Sequence, residues 1–299
     1  MHEALPYDQW KDSLETLHRW MQVIGKVKLE LAPFLNHWWE VSFFVTANGM
    51  TTGLIPYGSE AFQMDMNFID HSLSITTSWN QTAKLKLKPQ SVAAFYNEFF
   101  EALTSLRIKA PIWPVPVEIQ DPIPFKKDTV HNSYDELCVE RWWRILLEST
   151  SVFNQFRSGF RGKSSPTQFF WGSFDLCGAR FSGNKATPPD ITGPMGNIMR
   201  FSENEENFTY GFWPGDNRFP DPAYFSYIYP QPENLQSVRL EKDAYFNQQL
   251  GEFILPYESV RKAKSPDQKL LRFLETTYQA SATRAGWDIA SLKNDTPNH

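Results

Sequence analysis

The chain of 299 residues is 41% hydrophobic and 21% charged, which excludes a disordered or fibrous polypeptide and leaves enough length to bury a large core. Its formal net charge of −5 and pI near 5.7, with no basic stripe, argue against nucleic acid or anionic membranes as partners. Two cysteines, Cys138 and Cys177, are too few for a disulfide framework and lack zinc-site spacing; with no signal-like start and no bilayer-length apolar run, a soluble cytoplasmic protein is expected.

In chain order, Trp10, Leu14, Leu17, Met21 and Ile24 recur at helical spacing and predict a helix over about 7–24, ended or bent by Gly25. From His37 bulky residues occupy both faces, and Gly49 and Gly53 mark turns. Runs over 62–69, 73–79 and 83–88 follow at close spacing, with turns at Asp70-His71 and Asn80-Gln81, so a four-stranded antiparallel meander is predicted. Ser91 then opens a helix carrying Val92, Phe95, Phe99, Leu103 and Leu106 on one face. Five prolines between 111 and 124 resist helix or central strand and read as an extended connector.

The order then repeats. Ser133-Tyr-Asp-Glu136 has the pattern of a capping box before a helix with Trp142, Ile145, Leu146 and Phe153 on its apolar face. A strand is predicted over 168–181 and further strands over 208–213 and 224–229, with a Gly, Pro and Asn-rich loop between. Ser265-Pro-Asp-Gln268 reads as the start of a last helix, with Gly286 as its C-cap. The fold class expected is α+β: one compact domain of two pseudo-repeated halves, each helix, antiparallel strands, helix. The halves span 1–110 and 133–288, joined by a Pro-rich connector at 111–132, with a long loop at about 182–207 and a frayed tail at 289–299.

The case for duplication rests on Asn36-His-Trp-Trp-Glu-Val-Ser-Phe-Phe-Val45 and Thr167-Gln-Phe-Phe-Trp-Gly-Ser-Phe-Asp-Leu176, preceded by Gly25-Lys26 and Gly162-Lys163. Read as strands, these segments place Trp38, Glu40, Ser42 and Phe44, and Phe169, Trp171, Ser173 and Asp175, on faces that mix rings, hydroxyls and carboxylates. Such a face suits a ligand wall, and convergence of Glu40 with Asp175 would pair two carboxylates for acid and base work. His37 opens the first segment and His71 sits in a turn beside Asp70, positions from which an imidazole can orient or transfer a proton. No HxH, HxxxH or HExxH pairing occurs, so no metal is expected. Gly162-Lys163-Ser164 lacks the upstream glycine of a phosphate loop, and Ser173 lacks the G-x-S-x-G elbow.

Several strings together, Ile55-Pro-Tyr-Gly58, Asn67-Phe-Ile-Asp-His71, Phe169-Phe-Trp-Gly-Ser-Phe-Asp-Leu176, Arg180-Phe-Ser-Gly183, Gly211-Phe-Trp-Pro-Gly215 and Gly251-Glu-Phe-Ile-Leu-Pro-Tyr257, resemble a bacterial family described as domain of unknown function 5996 (DUF5996). The resemblance extends from the first helix to Trp287 and implies no activity, cofactor or catalytic residue. It implies a histidine where this chain has Gln168 and frequent replacement of Glu40, which turns attention to His37, Asp70, His71, Trp171, Asp175 and Arg180. The reading that emerges is an aromatic-lined cleft between the halves of a hydrolase- or isomerase-type enzyme for a small polar molecule. His37, His71 and Asp175 are its candidate catalytic groups, and Trp38, Trp171, Ser173, Arg180, Lys26 and Lys163 its candidate ligand contacts, with no cofactor. The alternative is a non-catalytic ligand-binding or scaffold protein.

Overall fold

The apolar spacing of the first segment produces helix α1, Tyr7–Leu31, which passes straight through Gly25. Gly25 is mid-helix because Trp171 packs on it: a Cβ there would lie 2.3 Å from the indole Nε1. Close approach, rather than termination, explains this glycine. The computed structural model describes residues 3–294; His2, and His299 with the rest of 295–299, lie outside the described residues.

Strands β1 (Phe44–Thr46), β2 (Gly49–Tyr57), β3 (Glu60–Asn67), β4 (Ser72–Thr77) and β5 (Thr82–Lys86) form an antiparallel meander in chain order. It has one strand more than expected, because Gly53 (φ 64°) lies inside β2 at a register shift between Thr51 and Leu54. Gly53 therefore makes a bulge, which bends a strand without ending it. Turns fall at His71 (φ 49°) and Asn80 (φ 59°), as the dipeptide signals anticipated. Helix α2, Val92–Ser105, is capped by the Ser91 hydroxyl, which accepts from the Ala94 amide at 3.1 Å.

Helix α3, Glu136–Ser158, is capped two residues later than anticipated: Asp135, not Ser133, accepts from the Cys138 amide at 2.9 Å. The second sheet has the order β10-β11-β9-β8-β7-β6, all antiparallel. Its strands are β6 (Gln168–Phe170), β7 (Asp175–Lys185), β8 (Glu205–Trp213), β9 (Ala223–Tyr229), β10 (Tyr245–Asn247) and β11 (Glu252–Pro256). The expected single strand over 168–181 is thus a hairpin, turned at 171–174 with Phe174 at φ 62°. The segment read as a loop at 182–207 contains the end of β7, helix α4 (Gly193–Ser202) and the start of β8. Gly193 and Pro194 lie in the first turn of α4, where both are tolerated. Helices α5 (Tyr257–Arg261), α6 (Pro266–Arg284) and α7 (Ile289–Leu292) complete the described chain, so the expected frayed tail holds a short helix before 295. No helix among the described residues is long and apolar enough to cross a membrane.

The fold is therefore α+β, with α3 and α6 covering one face of the second sheet. Phe153 and Phe156 of α3 and Tyr278 of α6 meet Phe208, Tyr210 and Tyr224 there, most pairs edge to face. Each ring so buried stabilises the fold by about 1.5–3 kcal/mol. The sheets join where the two aromatic segments meet: Phe43 donates to the Phe169 carbonyl at 2.9 Å and Phe169 to that of Phe43 at 2.8 Å. These segments fold differently, one as a 3-10 turn at Asn36–Trp38 before β1 and the other as a hairpin, and Gly25 is helical while Gly162 is in a loop.

Candidate functional site

Alternation on the second sheet sends Leu176, Phe208, Tyr210, Tyr224 and Phe253 toward α3 and α6 and the residues between them toward the other side. There a cavity of about 710 Å³ is lined by Asp175, Cys177, Ala179 and Phe181 of β7, Asn207 and Thr209 of β8, Phe225 and Tyr227 of β9, and Glu252 of β11. Gln168 and Phe170 of β6 extend this floor. The first half supplies Leu29, His37, Trp38, Trp39 and Val41, and the connector supplies Val117 and Glu118. The lining thus draws on residues from before, within and after the Pro-rich connector.

Four carboxylates line it. Asp175 is raised to about 6 by desolvation, partly offset by the Ser173 hydroxyl, which donates to it. Glu252 is raised to about 7, first by desolvation and then by the charge of Asp175. Glu118 is exposed as a residue, but its carboxyl turns inward, and a Cβ on Gly172 would sit 2.1 Å from Oε1. Desolvation, with the Asp175 charge again adding, raises Glu118 to about 7. Its backbone is left-handed (φ 56°), a conformation costing a non-glycine residue about 1 kcal/mol or more. Glu203 is raised by burial, accepts from the Asn207 amide at 2.7 Å and has the Tyr227 hydroxyl at 3.5 Å. The Cys177 thiol is pushed well up by burial and so stays protonated.

One stripe of α1 braces this arrangement. His18, Gln22, Gly25 and Leu29 follow at i, i+4, i+7 and i+11, so they share a face. The His18 Nε2 lies 2.9 Å from the Trp171 carbonyl and 3.0 Å from that of Gly172; burial lowers its pKa to about 4, so the neutral ring donates to both. Gln22, fully buried, accepts from the Val117 amide and donates to the Val117 carbonyl, both at 2.8 Å, which positions the neighbouring Glu118. Gly25 makes room for Trp171, whose indole donates to the Val41 carbonyl at 2.8 Å.

Helix α4 lies over the mouth without burying any residue of its own. His37 (φ 62°) and Trp38 (φ 58°) hold it. The Trp38 indole donates to the Ile198 carbonyl at 3.0 Å, and the His37 Nδ1 lies 3.2 Å from the Ser202 carbonyl. Burial and the Lys163 ammonium lower the His37 pKa; the neutral ring donates through Nδ1 and accepts from Lys163 at Nε2, 3.0 Å away. Lys163 also donates to Glu205 at 2.8 Å.

Of the residues singled out in the sequence, His37, Trp38, Trp171, Ser173 and Asp175 come together at this cavity, and Lys163 adjoins it through His37. His71 does not: its Nδ1 lies 3.0 Å from the Tyr134 hydroxyl and its Nε2 3.9 Å from Glu136. Arg180 points to the opposite face of β7, where its guanidinium lies 3.4 Å from the Phe156 ring centroid and 4.5 Å from that of Tyr278. Lys26 is buried on α1 away from the lining, and desolvation lowers it to about 8. Glu40 accepts from the Leu35 amide at 3.1 Å and does not line the cavity, so it does not converge with Asp175 there. Glu118, Glu203, Glu252, Cys177 and Gln168 were not foreseen as a lining. Glu118, one of two acids among the prolines, and the Gly251-Glu252 pair were the available signals.

Fold and site define an α+β protein whose second sheet carries an acid-lined, aromatic cavity on the face away from α3 and α6. The chain belongs to the family of unknown function DUF5996, whose model matches residues 2–294. No curated protein and no solved structure matches it.

Proposed function

We propose that this cavity is the active site of a small-molecule enzyme that works by acid–base catalysis, in a hydrolysis or an isomerisation. The carrying observation is the enclosure of Asp175, Glu252 and Glu118 in one aromatic cavity, where desolvation raises their proton affinities toward neutrality and the Asp175 charge adds to the effect at the two glutamates. At pH 7 Asp175 is mostly ionised and suits a general base, while Glu252 and Glu118 are about half protonated and suit a general acid. His37 has both ring nitrogens engaged, which favours an anchoring role at α4 over proton transfer. Trp171, Phe170 and Phe225 provide flat walls for the substrate body.

Carboxyl carbon NMR over pH 4–9 tests the reading. Asp175 and Glu252 should titrate well above the ordinary carboxylate range, and Asp175→Asn should move the Glu252 midpoint down. Midpoints below about 5 for Asp175, Glu252 and Glu118 alike would leave no carboxyl proton donor near neutrality and refute the acid–base role. A fragment screen read on the tryptophan indole resonances supplies the second arm, since compounds gathering elsewhere on the surface would remove the site itself.

A further inference from the structure

The polar groups of the cavity are unbalanced in sign. Four carboxylates line it and, among the described residues, no lysine or arginine does. Its donors are mostly turned to the protein: the Trp38 indole to Ile198, the Trp171 indole to Val41, the Tyr229 hydroxyl to the Thr187 carbonyl and the Thr209 hydroxyl to Asn207. Carboxylate oxygens and ring faces, with no cationic side chain, line the space.

An independent observation comes from Gln168. It is 1% exposed, lines the cavity, and contacts a protein hydrogen-bond partner at one end of its amide only, at Ser42. Ser42 has one hydroxyl proton and two oxygens beside it, Trp39 O at 3.0 Å and Gln168 Oε1 at 2.8 Å. Whichever end of the amide meets Ser42, the other is left toward the cavity. That end of the amide is placed to meet a ligand in the cavity.

We propose that the cavity binds an organic cation, with an ammonium or amidinium group held by Asp175 and Glu252 and an apolar body lying on Phe170, Phe225 and Tyr227. The inference rests on the reading of this cavity as the functional site and names its ligand class. A cation cancels the carboxylate repulsion, supplies the donors the walls lack and gains from aromatic faces. A bare metal ion fits less well, since among the described residues no three His, Cys, Asp or Glu side chains are grouped to hold one.

Three probes of one shape decide it: 2-phenylethylamine (cationic at pH 7.5), 2-phenylethanol (neutral) and phenylacetate (anionic), titrated into the full-length protein by calorimetry and indole NMR. The amine is expected to bind at least tenfold more tightly than the alcohol, and phenylacetate not detectably. Asp175→Asn, or Glu252→Gln should the first variant fold poorly, is expected to cost the amine tenfold and leave the alcohol unchanged. At pH 6.5 the amine should release protons from the carboxyls, visible as a binding enthalpy that depends on the buffer. If alcohol and amine bind alike at the cavity, or if the charge-neutral variants keep the amine affinity, the cation reading falls and the cavity reading stands. If no probe of any charge reaches the cavity, both fall.

Discussion

Gly25→Ala is a substitution whose sign depends on the packing described above. In an open helix interior, replacing glycine by alanine stabilises by about 1 kcal/mol through helix propensity. Here the new methyl would lie 2.3–2.5 Å from three atoms of the Trp171 indole, which is 4% exposed. Overpacking of this kind costs about 1–3 kcal/mol. Displacing the indole also breaks its 2.8 Å hydrogen bond to Val41 and leaves a buried donor unpaired, about 1–3 kcal/mol more. Subtracting the propensity gain leaves a net destabilisation of about 1–5 kcal/mol, to be measured by urea unfolding. Because Trp171 lines the cavity, the variant should also bind 2-phenylethylamine more weakly than the parent at equal folded fraction. An unchanged or raised stability would refute the close helix–indole contact and, with it, the account of how α1 shapes the site.

Three other perturbations probe the same frame. Native His18 protonates near 4 and the unfolded side chain near its ordinary value of 6.5, so the unfolded chain alone takes up this proton as pH falls from 7 to 4. Up to about 3 kcal/mol of stability should be lost over that window. Asp175 and Glu252, raised on folding, act oppositely: their contribution is present at low pH and is lost as pH rises through 6 to 7. Subtracting the His18→Gln stability profile from the parent's should isolate the histidine component, and a flat difference would refute its buried neutral state. Gln22→Leu removes both 2.8 Å bonds to Val117, so urea unfolding should register a loss of about 2–5 kcal/mol. A loss under 0.5 kcal/mol would show that the connector is held by other means. Trp38→Phe removes the indole bond to Ile198 and keeps a ring beside Phe34 and Phe201, so amide exchange at 193–202 should quicken several-fold with little change in Tm. Unaltered exchange there would show that α4 is fastened elsewhere.

The elements legible in the sequence were those whose signal is local. The helices at α1, α2, α3 and α6 came from apolar spacing, and the turns at Asp70-His71 and Asn80-Gln81 from residues that tolerate left-handed backbone. Local rules misread Gly25 and Gly53 because a glycine's purpose lies in what approaches it: an indole in one case, a bulged strand in the other. The alternation argument placed Asp175 on the cavity side, yet it put Phe169 there as well, because the hairpin at 171–174 resets the period.

By itself the sequence determined an α+β chain, rich in aromatic side chains and slightly acidic, with Asp175 and Trp171 together in its second aromatic segment. Only tertiary structure decided which acids share that face. Glu118, Asp175, Glu203 and Glu252 are far apart in the chain, and their raised proton affinities come from desolvation, reinforced for Glu118 and Glu252 by the Asp175 charge. Both effects depend on distance and enclosure, which neither composition nor periodicity encodes.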